Sequence, residues 1–311
     1  MTNTDQRLSF GMQLPIQSRS KLYREPWEDE AGPAELAAIA QAADRAGFGY
    51  IAVCDHVAIP RDKAEAMQTA WYDTVATLGW LAAMTTHVQL LSHVFIVAYR
   101  HPLVTAKSFM TLDHLSGGRA ILGVGAGHVE GEFAALGVPF DERGPLTDEA
   151  VDVIRAAFDA EYPDVDTEHY SIHGVGQSPR PMQSHLPIWV GGSSKPALRR
   201  AAERGDGWLP QGPPKEGMAW GIDYLHQRRA ELGRTGPFAV GGFAMPMYIG
   251  KPSFDLGPMA VSGTPEELAS QIREWASVGS THLMIRLRSQ SSAELVDQIE
   301  RFGEEIIPLT K

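Results

Sequence analysis

Cysteine is almost missing from this sequence, which has a single one, Cys54, among 311 residues. One cysteine cannot form a disulfide within the chain, so a disulfide-stapled scaffold is excluded. Apolar runs are short as well, and none approaches the ~20 residues of a membrane-spanning helix. The first residues contain no apolar segment typical of a secretory signal peptide. Together these absences predict a cytoplasmic protein.

Positive charge is also scarce, since 27 Lys and Arg stand against 38 Asp and Glu, a formal charge of −11. This balance opposes nonspecific attraction to nucleic acid or to anionic lipid. With 43% hydrophobic and 21% charged residues, the composition is that of an ordinary globular protein. We therefore expect a small-molecule substrate rather than a nucleic acid or a membrane as the partner.

Apolar periodicity alternates between strand and helix along the whole chain. Strands are predicted at 8–14, 50–54, 88–94, 119–124, 187–190, 207–209, 238–249 and 282–287, each followed by a helical pattern. The clearest helix start is Thr264-Pro265-Glu266-Glu267, an N-cap with Pro at the first helical position and Glu at the third. Eight such units predict a closed (β/α)8 TIM barrel, and no change in composition divides it, so residues 1–311 are expected to form a single domain. The Pro- and Gly-rich segment 161–186 is predicted to be an inserted excursion.

In such a barrel the active site lies where the carboxyl ends of the strands meet the following loops. Three of these junctions each carry a histidine: His56 after Asp55, His93 after Ser92, and His128 after a Gly-rich run. A fourth junction places small residues ahead of a helix, at Gly191-Gly192-Ser193-Ser194. Taken singly, an Asp-His dipeptide more often caps a loop and a lone histidine is more often structural. Together they predict an acid/base site beside an anion site.

Two other interpretations of these segments are disfavoured. The run Gly123-Val124-Gly125-Ala126-Gly127-His128 lacks the third Gly or Ala of a dinucleotide-binding fingerprint, because His128 stands there. Cys54 should point away from Asp55 on the preceding strand, so we expect it to be buried and without catalytic chemistry.

The order of motifs resembles the luciferase-like monooxygenase superfamily over nearly the whole chain, and especially its branch dependent on the deazaflavin coenzyme F420. The matching segments are Phe10-Gly11-Met12-Gln13-Leu14-Pro15, Asp55-His56, Arg100-His101-Pro102, Leu112 to Arg119, Gly123 to Gly127, Glu132-Phe133, Phe140 to Gly144, Pro187 to Gly192, Gly205-Asp206-Gly207-Trp208 and Gly263-Thr264-Pro265-Glu266. The family often has Trp or Glu where this chain has His128, so the mechanism of the sugar-phosphate dehydrogenases does not transfer directly.

The resemblance implies where the cofactor lies. Asp55 and His56 would border the deazaflavin ring, with Gly127 nearby. Ser92, His93 and Val94 would form a bulge that supports the ring, with a cis peptide bond between His93 and Val94. The cofactor phosphate would meet the backbone N–H groups of Gly191, Gly192 and Ser193.

The predicted function is hydride transfer between coenzyme F420 and a small, apolar organic substrate. His56 is the first candidate for moving the accompanying proton and His128 the second. Three alternatives remain: a monooxygenase using reduced FMN from a separate reductase, a noncatalytic flavin-binding protein, and a metal-dependent hydrolase using His56, His93 and His128. The hydrolase has little support, since the ligand spacing is missing and no metal residue is assigned.

The resemblance also implies a homodimer.

Several large apolar residues lie in segments that could line the rim of the site, and they would make the pocket broad and apolar. They are Met67, Trp71, Tyr72, Met218, Trp220, Met245, Met247 and Tyr248.

Overall fold

The computed structural model describes residues 8–21 and 24–310. Its strands are β1 (Ser9–Gln13), β2 (Tyr50–Val53), β3 (Gln89–Ser92), β4 (Phe95–Ile96), β5 (Ala120–Gly125), β6 (Val165–Asp166), β7 (Ser171–Ile172), β8 (Ile188–Val190), β9 (Gly207–Trp208), β10 (Ala239–Phe243), β11 (Met247–Ile249), β12 (Val261–Gly263) and β13 (His282–Met284). Its α-helices are α1 (Pro33–Arg45), α2 (Ala64–Met67), α3 (Thr74–Ala82), α4 (Pro102–Ser116), α5 (Glu130–Ala135), α6 (Arg143–Asp159), α7 (Lys195–Arg204), α8 (Met218–Glu231), α9 (Pro265–Ser277) and α10 (Ser292–Arg301).

One parallel sheet closes on itself. Its strand order is β3-β2-β1-β13-β10-β9-β8-β5-β4, and a further pairing of β3 with β5 closes the ring. Along the chain these strands alternate with helices that pack outside the sheet. The predicted (β/α)8 TIM barrel is therefore confirmed.

The barrel is filled at one end by large side chains. Tyr50 and Trp189 meet edge to face with ring centroids 5.5 Å apart, and Leu91 and Met284 belong to the same buried cluster. Gly11 is required beside them, because a Cβ there would lie 2.0 Å from the Tyr50 ring. The strands of the barrel are mainly buried on both faces, as parallel sheets covered by helices require. The opposite end, at the carboxyl termini of the strands, stays open.

Each predicted strand range overlaps a strand of the barrel. The segment predicted as one strand at 238–249 is two strands, because Pro246 has no backbone N–H with which to continue the ladder. β11 then pairs with β12 in a small separate parallel sheet. Helix α9 begins directly after its N-cap Thr264, with the predicted capping box.

The excursion at 161–186 contains a short antiparallel hairpin of β6 and β7. Asp113 of α4 accepts hydrogen bonds from the backbone N–H groups of Met182 and Gln183, at 2.8 and 3.0 Å. These bonds hold the excursion against the barrel side rather than over its open end. No helix in the described part of the chain has the length and apolar character needed to cross a membrane.

Candidate active site

A cavity of about 710 Å³ opens at the carboxyl ends of the barrel strands. Nine of the ten predicted site residues line it: Asp55, His56, His93, Val94, Gly127, His128, Gly191, Gly192 and Ser193. Ser92 does not reach it. Its buried hydroxyl instead bonds both the carbonyl and the N–H of Gly123, each at 2.9 Å, so its side chain fastens β3 to β5.

The wall of the cavity bulges between β3 and β4. Leu91 pairs with Ile121 and Phe95 with Val124, so three residues on one strand oppose two on its neighbour. The peptide bond between His93 and Val94 is cis, which confirms the prediction. Val94 fits only because glycine flanks it: a Cβ on Gly125 or Gly191 would lie 2.3 or 2.4 Å from its methyl groups.

His93 presents an unusual nitrogen in this bulge. Its Nε2 lies 2.9 Å from the carbonyl oxygen of Leu209, to which it can donate. Nδ1 is buried and has no hydrogen-bond partner among the described residues. Burial lowers the pKa of His93, so the ring is neutral near pH 7. Because the single ring proton is then on Nε2, Nδ1 can accept a hydrogen bond.

Asp55 holds the loop after β2. Arg100 donates to both of its carboxylate oxygens at 2.8 Å. The backbone N–H of Ile96 donates to the carboxylate at 2.9 Å, and the Thr74 hydroxyl lies 3.2 Å from it while donating to the Cys54 carbonyl at 2.6 Å. With three N–H donors already bound, this buried carboxylate ties β2 to β4. These bonds give Asp55 a role in fixing the loop at the edge of the cavity.

His56 is held by a carboxylate that is completely buried. Its Nδ1 lies 2.9 Å from Glu132 of α5, and Glu132 is 0% exposed. The same carboxylate accepts the backbone N–H groups of Val57 and Ala58, at 2.5 and 3.0 Å, and the Tyr99 hydroxyl at 2.9 Å. Burial alone would raise the pKa of Glu132, but the His56 bond and the backbone donors outweigh it and lower that pKa.

An ionised Glu132 can only accept, so the proton on Nδ1 of His56 is directed toward it. Nε2 is then the nitrogen whose protonation can change. The ring packs edge to face on Trp71, with centroids 4.4 Å apart, and both residues line the cavity. His56 is thus oriented as a proton donor or acceptor at the cavity wall.

His128 lies beside His56, with ring centroids 5.8 Å apart. Burial lowers its pKa and the nearby His56 lowers it further, against a smaller opposite effect of Glu132. Near neutral pH His128 is therefore uncharged. It can accept or donate a hydrogen bond, and of the two histidines it is His56 that bonds the Glu132 carboxylate.

The opposite end of the cavity is the start of α7. Gly191 contributes no free donor, because its N–H bonds the Val124 carbonyl at 2.9 Å. The prediction that three N–H groups bind the phosphate is therefore wrong for Gly191, whose lack of a side chain makes room for Val94. The N–H groups of Gly192 and Ser193 remain candidates for binding the phosphate. Gly192 has φ +89°, a left-handed conformation that favours glycine.

Two arginines add positive charge at this end of the cavity. Arg200 is buried and bonds Asp148 at 2.6 Å. Arg143 stacks on the Phe140 ring, 3.8 Å from its centroid, and within the described residues it forms no ion pair. Cationic charge beside a helix N-terminus suits a bound phosphate.

Cys54 is buried as predicted, and burial raises the pKa of its thiol to about 11. The three histidines of the hydrolase alternative do not gather into a ligand set. Among described residues, the one group with metal-binding spacing is Glu149, Glu168 and His169, at the outer surface.

The model of the luciferase-like monooxygenase family matches residues 8–253. The chain belongs to that family. An uncharacterised protein of Mycobacterium tuberculosis is 31% identical over 214 residues, 65% of this chain and 74% of that protein. An F420-dependent glucose-6-phosphate dehydrogenase of Beutenbergia cavernae is 28% identical over 325 residues, 90% of this chain and 94% of the enzyme.

The fold is also that of a solved monooxygenase structure. The monooxygenase RslO1 from Streptomyces bottropensis superposes with a TM-score of 0.79 at 20% identity, covering 97% of this chain and 99% of that one.

Sequence reasoning missed the residues that support the site rather than line it. Glu132 and Arg100 were present in the matched motifs but received no role. A carboxylate and an arginine in segments that follow strands are, by themselves, weak evidence that those residues support an active site. Their partners, His56 and Asp55, lie 76 and 45 residues away, and only the closed barrel brings them together.

Proposed function

We propose that the protein is an F420-dependent oxidoreductase that transfers a hydride between the deazaflavin and a small, apolar organic substrate. The observation that carries this proposal is His56, oriented by buried Glu132 with Nε2 left to exchange a proton at the cavity wall. The relative in Beutenbergia cavernae, named for F420 dependence, supports the choice of cofactor.

The residues present fit a flavin-like group. The bulge at Val94 gives a surface for a flat ring. Beside it, the unpartnered Nδ1 of His93 could accept a hydrogen bond from a donor on that ring. Gly192 and Ser193 at the start of α7, together with Arg143, would hold the phosphate. Each of these features lies on the same cavity.

When bound, the deazaflavin would supply or accept a hydride. The protein must then move one proton. For an alcohol substrate, Nε2 of His56 would take the hydroxyl proton as the hydride leaves carbon; in the reverse direction it would return that proton to the carbonyl oxygen. The Glu132 carboxylate would stabilise the positive charge on the ring during the step. His128 is a second proton carrier in this proposal.

The testing experiment is a parallel binding titration of the purified apoprotein with F420 and FMN. We expect F420 to bind more tightly. FMN binding at least tenfold tighter would reject the proposal and favour a monooxygenase that receives reduced FMN from a separate reductase.

A pair of variants tests the phosphate position in the same titration. Ser193→Asp places a carboxylate where the phosphate is proposed to bind, and like-charge repulsion should weaken binding at least tenfold. Ser262→Asp, on exposed β12, is the matched control and should bind as the wild type does. Equal affinities for the two variants would contradict the assignment to α7.

A further inference from the structure

A second cavity, of about 490 Å³, adjoins the first at the ends of β1, β10 and β13. Gln13, Ser18 and Gln211 line both cavities. Phe243 of the second cavity also packs on His93 of the first, with ring centroids 5.5 Å apart. The two cavities are therefore neighbours that share a wall rather than independent surface clefts.

The wall of the second cavity is mainly apolar. Its apolar side chains include Met12, Trp27, Phe243, Met245, Met259 and Met284. Methionine is flexible and polarizable, so such a wall adapts to ligands of irregular shape. A volume in this range, with apolar walls and few polar groups, is typical of small-molecule sites.

The charged groups of this cavity are engaged with one another. Arg24 forms an ion pair with Asp29. Glu25 faces two arginines, Arg286 at 3.9 Å and Arg288.

Buried Glu28 accepts the backbone N–H groups of Ile16 and Glu25, at 2.9 and 2.8 Å. Burial raises the pKa of Glu28, against the lowering effect of these two backbone donors. Among the described lining residues there is thus no lysine, and each arginine already faces a carboxylate. Such a wall offers little to a phosphate or sulfate group.

We propose that the second cavity is the substrate chamber and that it takes a neutral, mostly apolar molecule carrying one carbonyl or secondary alcohol. This rests on the proposed function, because the polar end would have to extend past Gln13, Ser18 and Gln211, which line both cavities, to reach His56 in the first one. A sugar phosphate, the substrate in the name of the Beutenbergia relative, would leave its charge unpaired in this chamber.

The chamber can be tested without turnover, using the neutral fluorescent ketone prodan. Its emission shifts to the blue in an apolar site, so its dissociation constant can be measured on the apoprotein. We expect saturable binding that millimolar glucose 6-phosphate does not displace. Displacement by the sugar phosphate, or no saturable binding, would overturn the proposal.

Variants assign the binding to the chamber. Ala244→Phe, directly after β10, fills the chamber and should weaken prodan binding at least tenfold. Met245→Lys adds a charge to the chamber wall and should weaken binding several-fold. The matched control is Met182→Lys, because Met182 is exposed on the excursion, outside both cavities. It should bind prodan normally.

Wild-type prodan affinity in folded Ala244→Phe would overturn the proposal. If that variant does not fold, wild-type prodan affinity in Met245→Lys would overturn it.

The F420 and FMN titrations separate this inference from the proposed function. If FMN binds preferentially while the chamber variants lose prodan, the cofactor assignment fails and the chamber stands. If F420 binds and no variant affects prodan, the chamber fails alone.

Discussion

Replacing Glu132 with glutamine should reverse the position of the proton on His56. Two backbone N–H groups, from Val57 and Ala58, point at one carboxylate oxygen and cannot turn away. The amide oxygen of glutamine must take that place, so its NH2 group falls opposite His56 and Tyr99. The Tyr99 hydroxyl can rotate to accept, but Nδ1 of His56 can accept only by losing its proton.

The neutral ring then carries its proton on Nε2, where it cannot receive one from a substrate. The His56 ring also loses the negative charge of the Glu132 carboxylate, which stabilises the protonated imidazolium. The same change in a Ser-His-Asp triad, from carboxylate to amide, lowers turnover about 10⁴-fold. We expect Glu132→Gln to lower turnover by roughly 10²–10⁴ and to destabilise the fold by about 1–3 kcal/mol, the usual loss for a charged hydrogen bond. F420 affinity should change little, since Glu132 does not line the cavity.

Nitrogen-15 NMR of histidine-labelled protein reads the tautomer directly, without a substrate. The chain has 11 histidines, and the signal of His56 is identified by its loss in His56→Gln. Glu149→Gln is the matched control, because Glu149 binds Nδ1 of exposed His169 at the same 2.9 Å distance. If His56 keeps its proton on Nδ1 in Glu132→Gln, the reasoning is refuted.

Three further predictions use simpler measurements. His56→Ala should lower hydride-transfer turnover by roughly 10²–10⁴ with F420 affinity nearly unchanged; unchanged turnover would move the role to His128 or water. Burial lowers the pKa of His282 from 6.5 to about 4, so between those values the unfolded chain binds the proton and the native protein does not. Stability should therefore fall by about 3 kcal/mol as the pH drops from 6.5 to 4, and denaturant titrations of His282→Gln should show less of this loss. Light scattering should give a homodimer, twice 33.9 kDa; a mass near 34 kDa in dilute solution would contradict it.

Periodicity along the sequence was sufficient for the barrel, because a strand buried on both faces is a short apolar run and each helix has an apolar stripe. It failed at Pro246, where a missing N–H ends the barrel strand inside an apolar segment. The cis bond between His93 and Val94 came from family resemblance alone, since strand periodicity predicts an ordinary trans bond there.

Hydrogen bonds between distant elements were beyond sequence reasoning for a physical reason. Whether the N–H of Gly191 is free depends on strand register, and in this barrel it bonds the Val124 carbonyl. Likewise, the use of Asp55 for loop fixing depends on where Arg100 falls. Residue type and position in a motif predict which groups are near the site, but register decides which of them remain available to a ligand.

In the proposed function, separate strands carry separate tasks. The proposed proton carrier His56 follows β2, the Val94 bulge lies between β3 and β4, and the proposed phosphate site follows β8, while the second cavity lies at β1, β10 and β13. A cofactor held by its ring and phosphate would be fixed by one half of the barrel, leaving the other half free to select the substrate. Substitutions around Met245 should therefore change substrate preference without changing cofactor affinity, whereas substitutions at Ser193 should do the reverse.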